Sequence, residues 1–183
     1  LPELPDAKRR RFEQMRVPAE TAALITASRE KAEFFEASVG EAHGIAVLVA
    51  NAVVGELTAH LNEANLGFSQ SPVSPGELAL LQQRVADGTI SGKIAKELLK
   101  AKFEGEKAGV DELIDKRGLR QISDAGEIEK LADEVLAANA RLVADYRSGK
   151  EKAFNALVGQ VMKASKGKAN PVQAAEALRR KLG

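Results

Sequence analysis

The 183-residue sequence contains no cysteine and no tryptophan. Without cysteine there is no disulfide, no thiolate nucleophile and no soft metal ligand, and a cytoplasmic setting suits such a chain. Its two histidines, His43 and His60, stand 17 residues apart. Two imidazoles with no cysteine nearby do not complete a zinc set, and neither has an orienting partner for acid–base work. Both are read as structural or solvated. Aromatic residues make up 4% of the chain, so any core must be aliphatic. Charges are read as interrupting every apolar stretch short of the roughly 20 residues a membrane span needs, so no membrane partner is expected. The opening Leu1-Pro2-Glu3-Leu4-Pro5 has no methionine and no signal-peptide pattern. It reads as a cut through a longer chain.

What is present is helical. Hydrophobic residues make up 44% and charged residues 29%, and their spacing follows a 3.6-residue period with no period-2 strand. Helices are expected over about 6–16, 18–26, 29–38 and 42–63. Pro18 suits a first turn and Ser28 a cap. The 42–63 segment is apolar nearly all round, which implies burial. Gly44, Asn51, Gly55, Thr58 and Asn62 share one azimuth on it, and the small residues suggest close packing against another helix. Ser74-Pro75-Gly76-Glu77 opens the next helix with a cap, a first-turn proline and an acidic third position. Further helices are expected from Ser91 and over about 110–117, 125–147, 150–165 and 171–182. The fold class is therefore all-α and multihelical, a helical bundle domain at 1–117 followed by a small three-helix tail domain at 124–183. Residues 118–123 form a hinge, because Gly118 stops one helix while Asp124 and Glu127 signal the next cap.

Catalytic constellations are scarce. Gly88-Thr89-Ile90-Ser91-Gly92-Lys93 imitates a phosphate loop, but Asp87 stands where glycine is needed, Ile94 where Ser or Thr is needed, and no strand precedes it. The acidic residues lie on amphipathic faces and read as solvated. No catalytic residue, cofactor site or metal site is assigned, and the chain is expected to do no covalent chemistry itself.

The net charge of +1 hides an uneven distribution. Residues 41–71 carry Glu41, Glu56 and Glu63 with no Lys or Arg, whereas residues 149–183 carry eight Lys or Arg against Glu151 and Glu176, a segment charge of +6. A polyanionic partner at the basic end is one explanation. Phe154, Leu157, Val158 and Val161 define a buried stripe on the 150–165 helix, and Lys152, Asn155, Gly159, Lys163 and Lys166 fall opposite. Gly159 costs that helix about 1 kcal/mol relative to alanine. It would let a phosphodiester backbone approach between lysines. The candidate nucleic-acid-binding set is Lys150, Lys152, Gly159, Lys163, Lys166, Lys168, Arg179 and Arg180. A solvated lysine face, dipole complementation by the terminal Arg179-Arg180-Lys181, and a glycine that admits a neighbouring helix are the competing explanations. With Phe154 on the core side and Tyr146 as the lone tyrosine, stacking on bases is not expected. Contact with the backbone and shape of folded RNA is.

Several motifs together resemble one family. Gly118-Leu119-Arg120-Gln121-Ile122-Ser123-Asp124, Tyr146-Arg147-Ser148-Gly149-Lys150, Val158-Gly159-Gln160-Val161-Met162-Lys163 and Lys166-Gly167-Lys168-Ala169-Asn170-Pro171 resemble the carboxy-terminal signature of the GatB/YqeY family. That family includes the B subunits of glutamine-dependent aspartyl/glutamyl-tRNA amidotransferases. The opening residues, Pro72-Val73-Ser74-Pro75 and Ile90-Ser91-Gly92-Lys93-Ile94-Ala95-Lys96 look like the same protein. One departure is Ala52, where the family carries tryptophan. The resemblance implies that residues 1–27 connect to a missing cradle domain and that 124–183 is a YqeY-like tail. It implies ATP and magnesium in that cradle, A and C subunits as partners, and tRNA(Asn) or tRNA(Gln) as the bound RNA, with no DNA. A free-standing YqeY-like helical interaction module and a helical DNA-binding protein are the alternative classes.

Overall fold

A computed structural model describes residues 1–122 and 125–183. The capping signal expected at Asp124 lies outside the described residues. Among the described residues all regular elements are helices. Among the described residues the one β-type pairing is an isolated parallel bridge between Ile122 and Ala169. Leu1–Asp87 with Gly92–Arg117 form one compact unit, and Gly88–Ser91 with Gly118–Gly183 form a second.

The first unit begins with α1 (Pro5–Gln14), α2 (Ala19–Thr26) and α3 (Arg29–Val39). Pro5 starts α1, where its missing N–H costs nothing. Ser28 caps α3, its side chain accepting from the Lys31 N–H at 3.3 Å. Phe12 and Phe35, both fully buried, meet edge to face at 4.7 Å. Around that pair the core is aliphatic, built on Ile25, Leu57, Leu61, Leu78, Leu98 and Leu113.

The long apolar segment is a composite. A 3-10 turn (His43–Ile45) leads into α4 (Ala46–Ala52), a π-helical turn (Val53–Leu57) and α5 (Thr58–Glu63). Val53, Leu57 and Leu61 are buried at intervals of four. In an ordinary α-helix each such step drifts forward by about 40°. The wider turn winds less per residue and offsets that drift, which keeps the three side chains pointed inward. The Thr58 hydroxyl donates to the Val53 carbonyl at 2.6 Å.

Two expectations for this segment are corrected. His43–Glu63 is long and apolar enough to cross a membrane by length and composition, since Glu56 is its sole carboxylate before Glu63. Charges therefore do not interrupt every apolar stretch. The segment is also not buried all round: 39% of its most apolar window lies inside the fold. Asn51, Gly55 and Asn62 are exposed, and a Cβ built on Gly44 or Gly55 would meet nothing within 4 Å. Among the described residues nothing is in close contact with the strip at Gly44 or Gly55, so close helix packing does not account for those glycines.

α6 (Pro75–Ala86) is capped by Ser74, whose side chain accepts from the Glu77 N–H at 3.1 Å. It packs on α3, α4 and α7 (Gly92–Phe103). The His60 ring stacks on Phe103 at 5.0 Å. Lys102 is 7% exposed. It donates to the Ala108 carbonyl at 2.9 Å and pairs with Glu77 at 3.3 Å, which ties down the loop before α8 (Val110–Lys116).

The second unit holds α9 (Ala125–Ala138), α10 (Ala140–Arg147), α11 (Glu151–Ala164) and α12 (Pro171–Leu182). The expected 125–147 helix is two helices, so the tail has four among the described residues where three were expected. Asn139 breaks the run with φ −126° and ψ 48°, and its side-chain amide donates to the Val135 carbonyl at 2.8 Å. An asparagine offers its own hydrogen bonds to the backbone and so competes with helix continuation. Leu142, Val143 and Tyr146 of α10 pack against a core of Ile128, Val135, Phe154, Leu157, Val161 and Leu178. Gly88–Ser91, assigned from sequence to the first domain, belongs to this unit, where the Gln121 N–H donates to the Thr89 carbonyl at 2.6 Å.

Candidate nucleic-acid interface

α11 follows the turn at Gly149, whose φ of +98° suits glycine. Its buried side consists of Ala153, Phe154, Leu157 and Val161. At 3.6 residues per turn the opposite side must carry Lys152, Asn155, Gly159 and Lys163, and all four are exposed. Gly159 opens to solvent: a Cβ there would meet nothing within 4 Å. Among the described residues, steric demand therefore does not explain the glycine.

Lys166 lies just past the helix and is also exposed. Its φ is +55°, the left-handed region that costs a side-chain-bearing residue about 1 kcal/mol or more. The Lys166 N–H donates to the Lys163 carbonyl and the Gly167 N–H to the Met162 carbonyl, a helix-closing pattern in which glycine is the usual occupant of the left-handed position. A mid-helix glycine and a left-handed lysine, each against local preference, thus border one surface.

The predicted residues divide by their partners. Lys152, Lys163 and Lys166 make no ion pair with any described residue. Lys150 pairs with Asp145 at 3.5 Å. Arg180 reaches Glu129 of α9 at 2.6 Å. Its neighbour Lys181 lies between Asp133 at 2.7 Å and Glu129 at 3.4 Å. The hydrogen bond to Asp133, more than the one to Glu129, raises the Lys181 pKa above its ordinary value. The Arg179 guanidinium sits 4.8 Å over the Phe154 ring, and Tyr146 leans on the same ring at 5.7 Å. Lys168 is half-buried, with its Nζ 3.8 Å from where a Cβ on Gly118 would stand. Its carbonyl accepts the Ile122 N–H at 2.5 Å.

The structure thus gathers Lys152, Gly159 and Lys163 on one exposed helix face, with Lys166 just beyond its end. Arg179 and Arg180 serve partly as struts to α11 and α9. Sequence reasoning missed the acidic partners. Glu129 and Asp133 lie at i and i+4 on α9, a like-charged pair that is unfavourable alone, and that cost is a legible sign of a cation facing them. Among the described residues no cluster of three or more His, Asp or Glu could hold a metal ion.

Comparison with known proteins follows the same chain order. The family described as GatB domain matches residues 33–182. The chain is 53% identical over its whole length to the B subunit of the aspartyl/glutamyl-tRNA(Asn/Gln) amidotransferase of Azoarcus sp. (strain BH72). It is 54% identical over its whole length to the proteins of the same name from Methylobacillus flagellatus and Thiobacillus denitrificans. In each case the chain spans 38% of the relative's length.

Proposed function

The chain belongs to the GatB domain family, and on that premise we propose that it is the tRNA-binding and positioning part of an amidotransferase B subunit. The parent assembly converts mischarged Asp-tRNA(Asn) or Glu-tRNA(Gln) to Asn-tRNA(Asn) or Gln-tRNA(Gln) in the cytoplasm, together with A and C subunits. ATP and magnesium belong, in this proposal, to the part of the relatives' length that this chain does not span. The role of the chain is geometric. Holding the tRNA body fixes where the charged acceptor end lies, and positioning contributes to rate without any reacting group.

The observation that carries the reading is the exposed Lys152–Gly159–Lys163 face, continued by Lys166, whose ammonium groups have no carboxylate partner among the described residues. Lys150, Lys168, Arg179 and Arg180 assist from its margins. Contacts of this kind go mainly to phosphates, so affinity falls steeply with salt. The boundary between the helical domain and the tail is taken to lie at Gly118, where the second unit resumes. The test is filter binding of the purified chain to folded tRNA, with duplex DNA and an unrelated structured RNA as competitors. Saturable, salt-sensitive tRNA binding that duplex DNA displaces poorly supports the proposal. Equal competition by duplex DNA overturns it in favour of a general polyanion binder.

A further inference from the structure

α10 is the element of the tail that the sequence pattern conceals. It has 8 residues, too few to hold a helix together alone in water, and none of them is buried. Leu142, Val143 and Tyr146 rest on the second core, and the short connection Ser148–Lys150 folds α10 back on α11 as a helical hairpin. The break at Asn139 changes the surroundings of Arg141. On an unbroken 125–147 helix Arg141 would stand in the interior. On α10 it is in the first turn, where the free N–H groups and the helix dipole favour an anion and disfavour a cation. No acidic residue occupies that turn to offset the cost. Arg141 is exposed and makes no ion pair with any described residue. Arg147 is equally exposed and unpaired, but it stands in the last turn, where the dipole welcomes it. Beside the two arginines, Ala140, Ala144 and Ser148 recur at every fourth position, all exposed.

We propose that α10 is the second arm of the RNA surface, with Arg141 contacting a phosphate of the RNA that lies on α11. The inference rests on the tRNA-binding reading of α11 and adds to it a helix and a residue. α10 and α11 put their apolar sides into one core and turn their polar sides to solvent. Counted outward from the turn at Gly149 at about 1.5 Å per residue, Arg141 stands ~12 Å along one helix and Gly159 ~15 Å along the other. Arg141 is thus nearly level with the glycine, and Arg147, by the same count, with Lys152. A phosphodiester strand that crosses the hairpin meets cations on both helices, whereas one that follows α11 alone would leave Arg141 unused. The guanidinium suits that contact, because its planar fork donates two parallel hydrogen bonds to phosphate oxygens. The short side chains of Ala140, Ala144 and Ser148 let the strand come close. A bound phosphate also supplies the negative charge that the first turn of α10 lacks.

The position of Arg141 makes stability and binding move in opposite directions, and the test uses that. A folded tRNA(Asn) transcript is titrated with the 183-residue chain and its variants across a salt series, and melting temperatures are measured on the same samples. Arg141→Ala should weaken binding about fivefold to tenfold at about 0.1 M salt and lower the salt slope by about one. Its melting temperature should hold or rise, since a cation leaves a helix N-terminus. Arg141→Glu should melt higher still and bind about 25-fold more weakly or worse. Ala144→Leu leaves the charge unchanged and should nevertheless weaken binding about threefold, which close contact gives and a long-range field does not. Lys130, exposed and unpaired on α9 outside the hairpin, is the control. Lys130→Ala should change affinity by less than about twofold, because salt screens a charge that makes no contact. If the parent binds tRNA and Lys163→Ala weakens it while Arg141→Ala does not, the α10 arm is overturned and the α11 surface stands. An equal loss at Lys130→Ala also overturns it, by making Arg141 one charge in a general field. If the parent chain binds no tRNA, both readings fall together.

Discussion

Arg180 sets its guanidinium 2.6 Å from the Glu129 carboxylate across α12 and α9, whereas Lys163 on α11 faces solvent with no such partner among the described residues. Two cations of the same +6 segment are thus in different electrostatic states. Binding a phosphate with Arg180 means sharing or breaking an existing pair. Binding one with Lys163 displaces only water and counterions. Lys163→Ala, Lys152→Ala and Lys166→Ala should therefore each weaken tRNA binding about fivefold to tenfold near 0.1 M salt and lower the salt slope by about one. Arg180→Ala should weaken it less. Filter binding across a salt series checks the order, and an equal loss at Arg180 would show that the pairing does not matter.

Gly159 separates stability from binding. Because a Cβ there meets nothing, Gly159→Ala should raise stability by about 1 kcal/mol through helix propensity alone. It should nevertheless weaken tRNA binding if the backbone of the RNA comes close at that point. Gly159→Arg adds a positive charge and should still bind more weakly than the parent, with the fold intact. Urea denaturation and tRNA titration on the same samples check both. Tighter binding by Gly159→Arg would leave only a diffuse basic surface.

Lys102 is a buried cation held by Glu77 and by the Ala108 carbonyl. Lys102→Ala strips the carboxylate and the carbonyl of their donor and should cost about 2 kcal/mol. The loss should appear first as faster amide exchange in 104–109, with tRNA affinity nearly unchanged because the second unit is untouched.

Acid should loosen the same loop. The Glu106 carboxylate accepts the N–H groups of Ala108 at 3.1 Å and Lys107 at 3.0 Å. The Ala108 bond, foremost, holds its pKa below the ordinary 4.5. A depressed carboxylate favours the folded state fully above its unfolded value and loses that contribution as pH falls through the folded one. Ala108 amide shifts should therefore stay constant above about pH 5 and move below pH 4.5. Glu106→Gln, which keeps the acceptor oxygen, should remove the transition.

Much of the architecture was legible because local rules determine it. Apolar spacing marks α11 and its exposed face, Ser28 and Ser74 announce their helices through caps, and Pro75 and Pro171 sit at first positions where only their missing N–H matters. The family follows from short motifs in order. The sequence also located the glycine and lysines of the candidate interface, since one helix period places them together. What it could not decide depends on residues far apart in the chain. The 125–147 pattern is periodic across Asn139, and only the packing of α10 on the second core makes the break worthwhile. The 43–63 segment shows its small and polar residues on one strip, but the sequence does not say whether that strip meets another helix or solvent, and the exposure of Asn51, Gly55 and Asn62 appears only in the folded unit. Which cations remain unpaired is likewise a tertiary fact. Arg180 and Lys163 read alike in a sequence, and the difference between them is that α9 brings Glu129 within reach of one and nothing described within reach of the other.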